Sequence, residues 1–135
     1  MCRKAVKNGR NKIFDRYTVI DYLARKMPAN GMDFMNKVVN SIPNISIITK
    51  IEVLGFNTTP EHTLLLTDFM DDASILDLTA GVVDLTISIR RAQKIKLPDA
   101  ILAATALANG MKLITRNTSD FKNISGLEIL NPYTL

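Results

Sequence analysis

Short apolar segments alternate with longer amphipathic ones along most of the chain, and this alternation limits the folds that the chain can adopt. Apolar and β-branched residues predict strands at 12–14, 45–48, 74–78, 112–115 and 127–130. Apolar residues at helical spacing predict helices between most of them. Because strands that alternate with helices form parallel sheets covered on both faces, the sequence predicts an α/β fold in three layers, a parallel sheet flanked by helices.

One helix, predicted over residues 97–110, has both ends marked in the sequence. Pro98 suits the first helical turn, where its missing N–H would have no partner, and Gly110 suits the left-handed position that ends many helices. Almost no polar residues lie between these ends, so we expect the helix to be buried. Asp99 stands in the first turn, where the helix dipole favours a carboxylate. Asp99 is either a simple helix-terminal charge or part of a functional site, and the second interpretation requires that other acidic residues lie close to it.

The other predicted helices also have recognisable ends. Apolar spacing predicts a helix that stops at Pro28, followed by a turn over 28–31 and a second helix. Thr49 is predicted to cap the helix that follows the second strand, and Thr59 the next helix, which leads to the third strand. Thr79 is predicted to cap the helix that follows the third strand.

Length and composition fit a single domain in a reducing compartment. The chain has 135 residues, of which 47% are hydrophobic, so it can bury a core without disulfides. Its one cysteine, Cys2, excludes an internal disulfide framework. The sequence contains neither an apolar run long enough to span a membrane nor the apolar region of a signal peptide. We therefore expect a cytoplasmic protein that does not associate with a membrane.

The start of the chain is basic and lacks apolar periodicity. We predict a flexible tail over 1–11 and a single domain over 12–135. The formal net charge is +4, and basic residues are concentrated near the start. Two interpretations of this basic tail are open, because it could contact nucleic acid or remain a solvated segment.

Four acidic residues stand just after the predicted strands or open a helix beside them. They are Asp15, Glu52, Asp99 and Asp120. Glu52 is expected in the first turn of the helix after strand 45–48, and Asp120 in a loop after strand 112–115. Because ligands bind outside the carboxyl ends of parallel strands, we expect the four carboxylates to lie near one another. Each acid alone could be a turn residue or a helix-dipole partner.

Carboxylates that lie close together repel one another unless a cation neutralises them. Mg²⁺ or Mn²⁺ suits such oxygen ligands, and a bound ion of this kind promotes the hydrolysis of phosphodiesters. Thr115 and Asn117 could support the reacting groups through hydrogen bonds, or they could form only a strand-end and turn pair. The single His62 and the near-terminal Cys2 exclude Ser/His/Asp and Cys/His catalysis.

Two stretches of sequence carry a family resemblance. They are LPDAILAATA at 97–106 with LITRN at 113–117 and DF at 120–121, and SIITKIEVLG at 46–55. These motifs resemble those of PIN-domain ribonucleases, and more narrowly those of VapC-type toxins of bacterial toxin–antitoxin pairs. The resemblance extends over roughly residues 12–133.

The resemblance implies a PIN-like fold, Mg²⁺- or Mn²⁺-dependent endoribonuclease activity on RNA, and inhibition by a cognate antitoxin protein. It also implies a homodimer. Glu52 and Asp99 match the second and third acids of the family, and Asp120 matches the fourth, with Asn117 as a nearby candidate. Counting back along the first helix places Asp15 at the first acid.

The first motif departs from the family pattern. The family usually has Asp-Thr-Asn there, whereas Arg16 and Tyr17 follow Asp15 in this chain. A guanidinium beside the acids would compete with the cation. Two hypotheses follow, an active endoribonuclease and an impaired PIN-fold module that binds antitoxin or RNA without cleavage. The basic residues expected to contact RNA are Arg16, Arg90, Arg91 and Arg116, although Arg90 and Arg91 could be ordinary helix-end charges.

Overall fold

Five short parallel strands form one sheet in the computed structural model, which describes residues 11–135. In chain order the strands are β1 (Lys12–Phe14), β2 (Asn44–Ser46), β3 (Ser74–Leu76), β4 (Lys112–Ile114) and β5 (Ile129–Leu130). Their order across the sheet is β3–β2–β1–β4–β5, and every pair is parallel. The direction of winding therefore changes between β1 and β4, which is the position where ligands bind in sheets of this kind.

Helices flank this sheet, so the predicted α/β fold is confirmed. The described residues form seven α-helices and a final 3-10 turn at Pro132–Thr134. The helices are α1 (Arg16–Leu23), α2 (Ala29–Val39), α3 (Ile47–Leu54), α4 (Pro60–Asp72), α5 (Ala80–Ala92), α6 (Leu97–Ala108) and α7 (Thr118–Phe121). None of them is long and apolar enough to cross a membrane.

The core is divided between the two faces of the sheet because successive strand residues point to opposite sides. Ile13 and Leu113, which pair across β1 and β4, pack into a cluster with the residues of α6. Phe14 and Ile114, the next pair along the same strands, pack into a second cluster that includes Met35 of α2. The central strands are thus buried on both faces, which explains their continuous apolar sequences.

Helix α6 is the buried helix that the sequence predicted. Residues 100–106 are all buried. The hydroxyl of Thr105 lies among them and donates a hydrogen bond to the carbonyl of Ile101 at 2.7 Å, which satisfies this buried polar group. The helix ends near Gly110, which has a φ of +63° as expected for its left-handed position. Asp99 therefore stands at the start of a firmly packed element.

The boundary between β2 and α3 differs from the prediction. The strand ends at Ser46, and the helix starts at Ile47 with Ser46 as its cap, so Thr49 is not the capping residue. The side-chain oxygen of Ser46 accepts a hydrogen bond from the N–H of Ile48 at 3.2 Å. Glu52 consequently lies beyond the first turn of α3, whereas the prediction had placed it within that turn. Thr59 and Thr79 do cap α4 and α5.

Two other segments also differ from their predictions. The first helix ends at Leu23, because Arg25 adopts a left-handed φ of 57°, and the predicted turn over 28–31 instead begins α2. Gly31 fits there because a Cβ atom would lie 2.2 Å from the backbone oxygen of Pro132. The predicted loop around Asp120 contains the short helix α7. Of the predicted tail, residues 1–10 lie outside the described residues.

Candidate active site

Asp15 is buried at the carboxyl end of β1, and its two carboxylate oxygens have different partners. Oδ1 accepts a hydrogen bond from the backbone N–H of Thr18 at 2.9 Å, and Oδ2 accepts one from the hydroxyl of Thr115 at 2.6 Å. Burial raises the pKa of Asp15, and the hydrogen bonds from Thr115 and Thr18 oppose this increase. Because Thr115 directly follows β4, this bond joins the two strands between which the winding changes direction.

Thr115 and Thr18 hold the Asp15 side chain in one orientation. Thr115 also accepts a hydrogen bond from the N–H of Asn117 at 3.0 Å, and Thr18 donates one to the carbonyl of Ile114 at 3.2 Å. Thr115 is therefore a direct support of Asp15. Thr18 was missed in the sequence, although its place three residues after an aspartate is typical of a capped helix start.

The structure brings the four predicted acids to one cavity of about 160 Å³, which we call the acid pocket. Asp15 reaches it from the end of β1, Glu52 from α3, and Asp99 from the first turn of α6. Asp120 reaches it from α7, and Asn117 also lines it. Elements that are far apart in sequence thus meet at the carboxyl edge of the sheet.

Repulsion acts between the carboxylates of the acid pocket. Burial raises the pKa of Glu52, and the negative charges of Asp99 and Asp15 add to the increase. Burial also raises the pKa of Asp99, and the charges of Asp120 and Asp15 act in the same direction. Arg16 opposes the shift at both groups. A cation near these acids would stabilise their ionised forms.

Arg16 places its own positive charge in the acid pocket. Its Nη1 atom lies 3.2 Å from Oε2 of Glu52, and its Nη2 atom donates a hydrogen bond to the hydroxyl of Tyr17 at 2.6 Å. The guanidinium carbon also lies 4.5 Å from the centre of the Tyr17 ring. The two residues that depart from the family motif therefore form one unit, which binds Glu52.

The donor atoms of the acid pocket fit a hard divalent cation. Within residues 11–135, no group of three or more His, Cys, Asp or Glu side chains is arranged to hold a metal ion by itself. Mg²⁺ does not require such a group, because it usually binds one or two carboxylates and keeps several waters. The four carboxylates and the amide of Asn117 supply oxygen ligands, and no imidazole or thiol of residues 11–135 lines the pocket.

Several lining residues were not among the predicted site residues. Tyr17, Lys96, Pro98 and Leu102 line the acid pocket together with the acids. Pro98 directly precedes Asp99 and Lys96 lies three residues before it, so their proximity to that acid in sequence was a usable signal. Leu102 lies one turn further along α6, and helical spacing places it on the same side as Asp99.

The four arginines that were expected to contact RNA fall into two groups. Arg16 lies in the acid pocket, and Arg116 lines a neighbouring cavity. Arg90 and Arg91 stand in the last turn of α5 and line neither of these two cavities. Arg90 donates a hydrogen bond to the carbonyl of Ile95 at 3.1 Å, which is the ordinary role of a helix-end charge.

Comparison with known sequences finds one family model that matches this chain and one curated protein that matches it over a short segment. The family model of the PIN domain matches residues 41–127, which include Glu52, Asp99 and Asp120. A segment of 32 residues is 53% identical to "Ribonuclease VapC1" from Rickettsia felis. That segment spans 24% of this chain and 24% of the curated relative, so most of that protein lies outside the match.

Comparison with solved structures covers most of both chains. A toxin–antitoxin complex from Klebsiella pneumoniae has a TM-score of 0.72 and 27% identity, covering 90% of this chain and 98% of that chain. DNA-bound VapBC from Salmonella typhimurium has a TM-score of 0.76 and 23% identity, with the same coverage of 90% and 98%. FitAcB from Neisseria gonorrhoeae has a TM-score of 0.72 and 20% identity, covering 92% and 99%. These similarities confirm the predicted three-layer fold.

Proposed function

This chain belongs to the PIN domain family, and we propose that it is a metal-dependent endoribonuclease of the VapC toxin type. The observation that carries the proposal is the convergence of Asp15, Glu52, Asp99 and Asp120 on one pocket at the carboxyl edge of the sheet. The name of the curated relative and its 53% identity over the matched segment support a ribonuclease.

Mg²⁺ or Mn²⁺ is the proposed cofactor, and the pocket lined by the four carboxylates would hold it, through one or two of them together with water. When bound, such an ion activates water and neutralises charge on a phosphodiester. Asp15 is the fixed ligand, because Thr18 and Thr115 orient its carboxylate. Burial and neighbouring negative charges raise the pKa of Glu52 and of Asp99, so a cation bound beside them would favour their ionised forms, which bind metal.

The contact between Arg16 and Glu52 favours a second candidate function, the impaired module that binds antitoxin or RNA without cleavage. The guanidinium supplies positive charge to a carboxylate that would otherwise be available to a metal ion. The pair is partly exposed, with 39% of the Arg16 side chain and 22% of the Glu52 side chain accessible. Water can therefore replace either partner, and the pair weakens the metal site without closing it.

A cognate antitoxin protein and a second copy of this chain are the proposed protein partners. Toxin–antitoxin complexes are among the solved structures with this fold. Several large apolar side chains are exposed on neighbouring helices, including Ile51 on α3 and Leu64 and Leu65 on α4. Helices α3 and α4 contact each other, and exposed apolar side chains on neighbouring helices suit a protein partner.

The test is cleavage of tRNA and ribosomal RNA by the purified protein, with Mg²⁺, with Mn²⁺ and with a chelator. We expect cleavage that requires the metal and that falls by at least about a hundredfold in Asp99→Asn. Equal cleavage by the wild type and Asp99→Asn would show that the assigned site is wrong. Metal-independent binding of RNA or antitoxin without any cleavage would favour the impaired module.

A further inference from the structure

We propose that the amino edge of the sheet, opposite the acid pocket, is a second surface for RNA, which holds the phosphate backbone without reading the bases. The inference rests on the proposed function for the identity of the polyanion, and it concerns a part of the molecule that this function leaves unused. We call the surface the lysine edge. Its members are Lys12 of β1, Lys112 of β4 and the basic residues that precede β1 in the sequence.

Lys12 and Lys112 are direct neighbours on the two central strands. They are the first residues of β1 and β4, and they pair with each other in the parallel register. Neighbouring strands lie about 4.8 Å apart, and residues two positions apart on a strand point to the same face. Both lysines therefore share the face of Phe14 and Ile114. Both residues are partly exposed, so two positive charges stand side by side at the surface.

The backbone that carries these charges is held from both sides. The N–H of Lys112 donates a hydrogen bond to the carbonyl of Asn11 at 2.7 Å. The side-chain amide of the buried Asn44, on β2, donates one to the carbonyl of Lys12 at 3.1 Å. The ammonium of Lys12 donates one to Oδ1 of Asn11 at 3.1 Å. The two lysines thus belong to the rigid sheet and keep their spacing.

Like charges in direct register repel each other, and such pairs destabilise a sheet. Burial lowers the pKa of Lys12, and the positive charge of Lys112 acts in the same direction. Glu128, which precedes β5 beside β4, is exposed, and within residues 11–135 it forms no ion pair with Lys112. A polyanion bound at this edge would offset the repulsion between the two lysines.

The nearby helix end does not account for the two lysines. Helix α6 ends at this edge, and a helix C-terminus favours a cation. Its last carbonyls, however, already accept hydrogen bonds from the backbone. The N–H of Met111 donates to the carbonyl of Ala106 at 2.9 Å, and the N–H of Gly110 donates to that of Leu107 at 3.3 Å. The helix end is therefore satisfied without a lysine.

The sequence that precedes β1 adds positive charge at the same edge. Residues 1–10 contain no acidic residue and four basic ones, Arg3, Lys4, Lys7 and Arg10. They are joined to β1 through Asn11, so their charges are tethered beside those of Lys12 and Lys112. Basic residues that are concentrated in this way bind the phosphate backbone of nucleic acids. This favours contact with nucleic acid over a merely solvated tail.

RNA is the polyanion that the proposed function brings to this protein. Lys12 lies three residues before Asp15, which is about 10 Å along a strand, so the lysine edge and the acid pocket are separated by the short length of β1. A substrate of many nucleotides has far more phosphates than the acid pocket can hold. Its outer phosphates can therefore reach the opposite edge of so thin a sheet.

The experiment measures binding of fluorescein-labelled poly(U) by anisotropy, in a chelator, with Asp99→Asn as the background that does not cleave. Without a metal ion the acid pocket repels phosphates, so the signal reports the positive surfaces. Lys12→Gln and Lys112→Gln should each weaken binding several-fold and reduce the slope of log affinity against log salt by about 0.7, and together by about 1.4. Replacing all four basic residues of 1–10 by glutamine should reduce the slope by about 2.8.

Two control variants and a stability measurement separate RNA binding from a structural role. Lys112→Arg keeps the charge and should retain the slope. Arg91→Gln removes an exposed charge from the last turn of α5 and should change neither affinity nor slope. Because Lys112→Gln relieves a repulsion, its melting temperature should equal or exceed that of the background.

Three results would overturn the lysine edge. They are no binding of poly(U) by the background at low salt, an unchanged slope when both lysines are replaced, and a lower melting temperature of Lys112→Gln with unchanged affinity. The proposed function is tested separately, because cleavage by the wild type with Mg²⁺ does not enter the binding assay. Cleavage with unaltered slopes would refute the lysine edge alone, and reduced slopes without cleavage would refute the nuclease alone.

Discussion

Replacing Arg16 by alanine should strengthen the binding of a divalent cation to the acid pocket. In the wild type the guanidinium lies 3.2 Å from Glu52, so an incoming cation must displace it or share that carboxylate with it. Alanine removes this competitor and leaves the four acids in place. It also suits a first helical turn, so α1 should be retained.

The exposure of the pair sets the size of the effect. With 39% of the Arg16 side chain and 22% of the Glu52 side chain accessible, the contact contributes up to about 1 kcal/mol. Because about 1.4 kcal/mol corresponds to a tenfold change in affinity, the Kd for Mn²⁺ should fall by up to about fivefold. Arg16→Lys, which keeps the charge but loses the planar donor, should give a smaller change.

Calorimetric titration with Mn²⁺ measures this Kd without depending on cleavage. Arg91→Ala is the matched control, because it removes the same charge from a residue that does not line the acid pocket. Thermal unfolding of each variant checks that the fold is intact. An unchanged Mn²⁺ affinity in Arg16→Ala, or an equal increase in Arg91→Ala, would refute competition between Arg16 and the cation.

Three further predictions concern stability. Thr115→Val removes a buried donor from Asp15, and chemical denaturation should show a loss of about 1–3 kcal/mol, whereas Thr115→Ser should retain most of the stability. Gly31→Ala would place a Cβ atom 2.2 Å from a backbone oxygen of the final 3-10 turn, so its melting temperature should fall clearly; Gly81→Ala, with its nearest contact at 3.9 Å, is the control and should show no loss. Burial and a hydrogen bond to a carboxylate raise the pKa of Tyr133 to about 12, so the stability from its protonated form should be lost as pH rises from its ordinary pKa of 10.0 through about 12. Denaturant titrations over this pH range should show that the free energy of unfolding declines more steeply with pH in the wild type than in Tyr133→Phe. Equal declines would contradict a stabilising role of the protonated Tyr133.

The central part of the fold could be predicted from the sequence because its strands are buried on both faces. Such strands are continuous apolar runs between helices, and β1 has the predicted bounds of 12–14. Gly110 and Pro98 marked the ends of α6 because each has a backbone property that few other residues share.

The junction between β2 and α3 could not be placed from local preference alone. Ile47 and Ile48 are β-branched and favour a strand, yet both belong to a helix. The cap formed by Ser46 and the packing of the helix against its neighbours outweigh that preference. The same difference moves Glu52 beyond the first turn without removing it from the acid pocket.

The candidate site was partly predictable because strand order brings the ends of β1 and β4 together. Positions just after strands are visible in a sequence, and this is how Asp15 and Asp120 were found. The contact between Arg16 and Glu52 depends instead on the packing of α1 against α3, which local sequence does not encode. The neighbouring cavity that Arg116 lines likewise arises from residues that only the tertiary fold makes neighbours.

The central claim is that the acid pocket binds a divalent cation, and anomalous diffraction from crystals soaked in Mn²⁺ tests it most directly. We expect a peak in the acid pocket about 2.1 Å from carboxylate oxygens that include Asp15 or Asp99. We also expect the Arg16 side chain to have moved away from Glu52. The absence of any peak among the four acids at saturating Mn²⁺ would contradict the claim.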